Sequence, residues 1–140
     1  MPIWIIYALL AAVFAALVAI LAKTGLEGID TTLATTVRAV IMAGFLVIVS
    51  LLLGKSSLLG GISSKPLLFI AASGVAGALS WLFYFSALKH GPAPAVAALD
   101  RLSVVFVLVL AILFLGEHLT WKSALGATLV TAGAILMSIR

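Results

Sequence analysis

Residues 3–22 read IWIIYALLAAVFAALVAILA, an apolar run of 20 residues that contains no charged side chain. A helix rises about 1.5 Å per residue, so a run of this length spans the roughly 30 Å hydrocarbon core of a bilayer. A secretory signal peptide has a basic start and an apolar stretch of only about 7–15 residues. The run therefore predicts a first membrane span rather than a cleaved leader.

Four further segments share this continuous apolar character. The chain is 65% hydrophobic and only 9% charged, whereas a soluble domain carries about a quarter charged residues. Alanine-rich runs without alternation favour helices over the strands of a membrane barrel. We predict an all-α polytopic membrane protein, a single domain over residues 1–140 with five transmembrane helices. The predicted spans are 3–22, 32–53, 66–88, 94–115 and 121–139.

Capping signals mark several of the predicted ends. Asp30 or Thr31 precedes span two and Thr120 precedes span five, each a residue type that accepts hydrogen bonds from a first helical turn. Pro66 suits the first turn of span three. Arg140 is expected to anchor the end of span five at the membrane surface.

Basic residues in the loops divide evenly between the two sides of the membrane. With five spans the chain ends on the side opposite to its start. The side of the N-terminus, called side A, receives Lys55, Lys65 and Lys122, and side B receives Lys23, Lys89 and Arg140. Because each side has three basic loop residues, the positive-inside rule favours neither orientation. The sequence therefore predicts no fixed orientation and is compatible with insertion in both.

The residue content of the chain argues against several classes of function. The chain has no cysteine, and His90 and His118 lie in loops on opposite sides, so they cannot share a metal. Scattered basic residues argue against nucleic acid as a partner. Glu117, in the turn before span five, is interpreted as a favourable charge near a helix start rather than a catalytic group. We predict no enzyme activity, no catalytic residue, no metal and no cofactor.

Two separated stretches carry a resemblance to a known family. They are SWLFYFSAL at residues 80–88 and LGEHLT at residues 115–120, followed by Gly126 and Gly133. This pattern, together with Arg38 early in span two, resembles the EamA domain of the drug/metabolite transporter superfamily over essentially the whole chain. Most members carry two such domains fused into ten spans, so the resemblance implies that one five-span chain acts as half of an inverted-repeat transporter, in a homodimer.

Three charged residues fall inside predicted spans, where each costs roughly 2.5–3.5 kcal/mol at a helix centre. Arg38 and Asp100 each lie six residues into spans that start on side B, which places both about 9 Å below that interface. We predict an ion pair between them. It could pin two spans together, let Asp100 couple transport to protons, or contact substrate. Arg101 is rotated about 100° away and is expected to face another partner or to extend toward side B.

The aromatic residues of span three form the second candidate site. Trp81, Tyr84 and Phe85 have the i, i+3, i+4 spacing that places side chains on one helix face. They either pack against neighbouring spans and lipid or line a cavity for apolar and amphipathic substrates. Gly126 and Gly133 permit close helix approach in span five and are the candidates for helix packing or a dimer face.

These observations predict a function in membrane transport. The preferred hypothesis is a secondary transporter or exporter of small metabolites or amphipathic compounds, working as a homodimer, antiparallel by preference, and with proton coupling left open. Its partners would be the lipid bilayer and a small-molecule substrate. The expected location is the inner membrane of a bacterial or archaeal cell. The alternative is a non-transporting subunit that packs with a different membrane protein.

Overall fold

The computed structural model describes residues 2–139, apart from the side chain of Leu59, so Arg140 lies outside the described residues. Across this range helices are the regular secondary structure, which confirms the predicted all-α class. The helices are α1 (Ile3–Gly25), α2 (Thr31–Leu52), a short 3₁₀ helix (Lys55–Gly61), α3 (Ser64–His90), α4 (Ala93–Asp100), α5 (Ser103–Leu115) and α6 (Trp121–Ser138).

Four segments of the described chain are long and apolar enough to cross a membrane. They are α1, α2, α3 and the stretch Ala93–Leu115, which contains α4 and α5. Large apolar side chains stay exposed along them, among them Phe83 at 74% and Phe114 at 79%. Exposed apolar surface on this scale requires lipid as the surrounding solvent. The predicted polytopic membrane protein is therefore confirmed.

Helix α6 occupies the predicted fifth span but is not among the four segments whose length and apolar content mark them as membrane spans. It has 18 residues and carries Lys122 near its start. Two of its hydroxyls are satisfied within the helix, because Thr128 donates to the Ala124 carbonyl at 3.0 Å and Thr131 donates to the Ala127 carbonyl at 2.8 Å. At about 1.5 Å per residue the helix is about 27 Å long, close to the thickness of the hydrocarbon core.

The predicted caps of α2 and α6 are confirmed. The Asp30 carboxylate accepts a hydrogen bond from the Leu33 amide at 2.9 Å, and the Thr120 hydroxyl accepts one from the Ser123 amide at 3.2 Å. At the C-terminal end of α5, Gly116 adopts the left-handed conformation, with φ of 67°. This is a common way to end a helix, and it favours glycine because no Cβ is strained there.

Replacement of Asp30 by alanine tests the first of these caps. The substitution removes the acceptor for the Leu33 amide, so the free energy of unfolding should fall by about 1 kcal/mol. Asp30→Ser keeps a capping oxygen and is the matched control. Thermal unfolding in detergent measures the difference, and equal stabilities of the two variants would contradict the capping role.

The predicted fourth span is interrupted near its middle. Helix α4 ends at Asp100 and α5 begins at Ser103. Across the break the backbone bonds have the shorter 3₁₀ spacing, from the Arg101 amide to the Ala98 carbonyl at 3.1 Å and from the Leu102 amide to the Leu99 carbonyl at 3.0 Å. This tightening is not predictable from local pattern, because no proline or glycine lies at residues 100–103.

The helices form two compact units. The terminal unit combines residues 2–23 with 90–139, and within it α6 packs against both α4 and α5. Its buried side chains are small, and they are Ala19, Ala93, Ala95, Ala111 and Ala134. Small side chains let membrane helices approach closely, and this is the main source of packing energy where lipid is as apolar as leucine. The Lys23 ammonium joins the two chain segments by donating to the Gly91 carbonyl at 3.0 Å.

The central unit comprises residues 24–89, which form α2, the 3₁₀ helix and most of α3. Its most buried side chains are Leu26, Thr35, Phe85 and Leu88. The Lys89 ammonium donates to the Ile29 carbonyl at 3.1 Å, which ties the end of α3 to the loop before α2. This bond and the burial of Leu88 hold the second half of α3 beside the first half of α2, where the candidate site lies.

Candidate substrate site

Three rings on α3 form one aromatic cluster. The Trp81 ring lies 5.4 Å from the Tyr84 ring with a 79° angle between their planes, and 5.8 Å from the Phe85 ring at 85°. Such edge-to-face arrangements place the positive edge of one ring on the negative face of another. Phe85 is only 3% exposed, while Trp81 and Tyr84 are half-buried. The predicted shared face is confirmed, and it is turned into the protein rather than wholly toward lipid.

Arg38 on α2 completes this cluster. Its guanidinium carbon lies 3.7 Å from the centroid of the Trp81 ring and 5.8 Å from that of Phe85. A guanidinium over an aromatic face is attracted by the ring quadrupole, by about 2 kcal/mol where water is excluded. Arg38 and the three rings are called the Arg38 cluster below. The structure thus brings together two candidate sites that the sequence had treated separately.

The polar groups that flank the cluster find their partners locally. Buried Thr35, one turn before Arg38, donates to the Thr31 carbonyl at 2.7 Å. Ser86, beside Phe85, donates to the Leu82 carbonyl at 2.9 Å. These hydroxyls are occupied by their own helices. Arg38 differs from them, because within its own unit, residues 24–89, its guanidinium has ring contacts but no hydrogen bond or ion pair.

The cation–π contact was missed although the sequence contained its signal. The position of Arg38 in span two puts it about 9 Å below side B. Trp81, seven residues before Leu88 on a span that ends on the same side, comes out at about 10 Å by the same arithmetic. The two residues were therefore at equal depth on consecutive spans. Depth alone therefore does not distinguish Asp100 from Trp81 as the neighbour of Arg38, and opposite charge favours Asp100.

Asp100 has a neighbouring partner. Its carboxylate lies 3.0 Å from the Arg101 guanidinium, and the two side chains are 36% and 54% exposed. The structure places Arg101 against Asp100 rather than against another partner, and the alternative, extension toward side B, stays a prediction. Arg101 lies at the break between α4 and α5, and its long side chain reaches back to the preceding residue. The pairing of Asp100 with Arg38 stays a prediction.

Gly126 and Gly133 have free space beside them within the chain. A Cβ added at either position would meet no atom within 4 Å among the residues described. Neither glycine is therefore needed for close packing inside one copy. On another face of the terminal unit, an open groove of about 330 Å³ is lined by Val105, Ala127, Thr128, Thr131, Ala132 and Ile135. Because both threonine hydroxyls bond to their own helix, the groove surface is largely apolar.

Comparison with known proteins gives the same picture as the fold. The sequence profile of the EamA-like transporter family matches residues 2–139. A protein of Sinorhizobium sp. named "Uncharacterized transporter in cobO 3'region" is 41% identical over 136 residues, which cover 97% of this chain and 96% of that relative. No solved structure matches. The chain is an integral, multi-pass membrane protein and belongs to the EamA-like transporter family.

Proposed function

We propose that this protein is a secondary transporter of small amphipathic molecules and that it works as a homodimer. The observation that carries the proposal is the Arg38 cluster, a cation stacked on aromatic rings within a membrane-spanning helix pair. The family match and the transporter name of the relative support the general role. The cluster supplies the chemistry for a substrate that has both polar and apolar parts, and no enzymatic step is proposed for it.

An arginine inside a membrane span carries a free-energy cost of insertion. Insertion of the charge at a helix centre costs roughly 2.5–3.5 kcal/mol, and such residues usually face a pathway or a partner rather than lipid. Stacking on Trp81 offsets part of this cost. A purely structural position of this kind would be filled as well by leucine or methionine. We therefore assign Arg38 a role in binding or moving solute.

The dimer is proposed because one chain has few helices with which to enclose a pathway. Four strongly apolar segments and one weaker helix are described. Helix α6 contains Gly126 and Gly133, beside which the same copy places nothing. A helix with small residues on an open face is better suited to pack against protein than to face lipid. The match with a relative of nearly equal length supports a transporter built from units of this size.

An antiparallel arrangement is proposed for the two copies. Fused transporters obtain alternating access from two halves of opposite topology, related by an axis in the membrane plane. Two separate copies reproduce this symmetry only if they insert in opposite orientations. The balance of loop lysines and arginines, three on each side, permits such dual insertion. The Sinorhizobium relative supports a bacterial inner membrane as the setting.

The alternative is a subunit that packs with a different membrane protein. The open apolar groove between α5 and α6 would fit a helix of such a partner as well as one from a second copy. Purified protein in liposomes separates the two hypotheses. Solute uptake by this chain alone supports the transporter, whereas uptake only after addition of a second protein supports the subunit. Repeating the assay with and without a pH gradient tests proton coupling through Asp100.

Dual insertion has a direct test, because the chain contains no cysteine. Ser57 lies after α2 and Ser138 ends α6, which places them on opposite sides of the membrane if α6 spans it. In the single variants Ser57→Cys and Ser138→Cys, a membrane-impermeant maleimide should label about half of the molecules from each face, since the loop charges set no preference. Labelling of either variant from one face only would contradict dual insertion.

Oriented variants provide a functional control. Lysines added at Ser56 and Ser57 bias the chain toward one orientation, and lysines at Glu27 and Ser138 bias it toward the other. Each biased variant should be inactive alone, and co-expression of the two should restore transport. Full activity of either variant by itself would show that an antiparallel pair is not required.

A further inference from the structure

We propose that the Arg38 cluster binds an organic anion, with the guanidinium holding a carboxylate and the aromatic rings holding the apolar part of the same molecule. The inference rests on the proposed transport function and specifies its substrate class. It follows from three features of the cluster, which are the geometry of the cation–π contact, the charge balance within the spans and the exposure of the rings.

The cation–π contact leaves the hydrogen-bonding edge of Arg38 available. A guanidinium is planar and carries five N–H donors that point outward in that plane. At 3.7 Å from the ring centroid, Trp81 covers the flat face of this group. None of the donors has an acceptor within the central unit, residues 24–89. The free edge matches the two oxygens of a carboxylate, which accept a pair of parallel bonds.

The charge balance of the spans favours an anion over a cation. Asp100 and Arg101 form a neutral pair at 3.0 Å, while Arg38 has no ionic partner within its own unit, residues 24–89. A negatively charged substrate neutralises this charge in a medium where opposite charges attract strongly. A cationic substrate would have to enter beside a fixed positive charge and replace the guanidinium on Trp81. The site therefore discriminates by sign.

The rings place the apolar part of the ligand beside its acid group. Trp81 and Tyr84 are half-buried, so part of each ring is open to contact, while Phe85 is buried behind them. The Trp81 ring already positions the guanidinium, which limits the motion that a ligand must freeze on binding. A molecule with a carboxylate one or two bonds away from a ring or an alkyl chain fits both parts of the cluster.

The test uses the fluorescence of Trp81 itself. The chain has three tryptophans, and the other two, Trp4 and Trp121, are 66% and 72% exposed. Replacing both by phenylalanine leaves Trp81 as the sole tryptophan. The purified protein is then titrated with phenylacetate, phenylethanol and phenylethylamine, which share a ring and differ in charge. Phenylacetate should bind about tenfold or more tightly than the alcohol, since a charge-assisted hydrogen bond is worth at least that factor.

Two variants of Arg38 assign the preference to its guanidinium. Arg38→Gln should remove the preference and bring phenylacetate to the affinity of the alcohol. Arg38→Lys keeps the charge without the planar fork and should retain part of the preference. If Arg38→Gln fails to fold, the comparison of the three probes on the protein with arginine still decides the sign of the ligand.

Other outcomes overturn the inference. Equal affinity for phenylacetate and phenylethanol, no binding of phenylacetate, or tighter binding of phenylethylamine would each exclude an anion site at Arg38. The result is independent of transport, because it is a binding measurement. Phenylacetate binding without uptake into liposomes would contradict the proposed transport function and support the anion site. Uptake of amines but not of acids would support transport and contradict the anion site.

Discussion

Replacement of Trp81 by alanine should lower the free energy of unfolding by about 3 kcal/mol, the largest effect expected from a single change in this chain. The substitution removes the face on which Arg38 lies and both edge-to-face ring contacts. The guanidinium then stays within the membrane without its covering ring. Unfolding in a detergent mixture monitored by circular dichroism measures the change, and liposome uptake should fall further than the yield of folded protein.

Two substitutions serve as controls for Trp81. Trp81→Phe keeps an aromatic face and should recover most of the stability, because the cation–π attraction is weaker for phenylalanine but not lost. Trp121→Ala removes the same side chain from a position that is 72% exposed, so its effect should stay within about 0.5 kcal/mol. If Trp81→Ala were no more harmful than Trp121→Ala, the cluster would have neither a structural nor a binding role.

Neutralising Asp100 is the second change with a large expected effect. Asp100→Asn removes the partner of Arg101 and leaves an additional positive charge in the fourth span. The expected cost is about 2 to 3 kcal/mol on the insertion scale, seen as reduced membrane yield and stability. In the double variant Asp100→Asn with Arg101→Gln, both charges are absent and most of the loss should be restored.

A second double variant decides between the two partners considered for Asp100. Asp100→Asn with Arg38→Gln should not restore stability if Arg101 is the partner. Restoration by this pair, and not by the pair with Arg101, would instead establish the ion pair between Arg38 and Asp100 that equal depth predicted. With the single variants Arg101→Gln and Arg38→Gln added, a double-mutant cycle for each pair gives its coupling energy.

The positions of the helices were predictable because the lipid environment requires backbone hydrogen bonds to be formed within each membrane-spanning segment. A membrane helix satisfies its own backbone, so length and apolar content locate it without knowledge of its neighbours. The predicted spans 3–22 and 32–53 correspond to α1 (Ile3–Gly25) and α2 (Thr31–Leu52). The differences at the ends arise because polar residues such as Lys23 and Thr24 continue the last turn beyond the apolar core. The helix caps were predictable because capping depends on the type of residue just before a helix.

The features that were missed depend on tertiary contacts. The break between α4 and α5 has no proline or glycine to announce it, so it is invisible to local patterns. The stacking of Arg38 on Trp81 required a choice between partners at equal depth, and depth alone does not give the rotation of one helix about its axis. Sequence therefore identified both residues of the cation–π contact but not the contact itself, and the pairing of Arg38 with Asp100 stays a prediction.

The bond from Lys23 to the Gly91 carbonyl has a consequence for the timing of biogenesis. Its two residues are 68 positions apart, and a ribosome adds about 5–20 residues per second. The Lys23 bond therefore cannot form until roughly 3 to 14 seconds after its lysine has joined the growing chain. Residues 24–89, which form a compact unit of the folded protein, are synthesised during this interval. The contact between α1 and Gly91 is thus made only after the whole chain of the central unit exists.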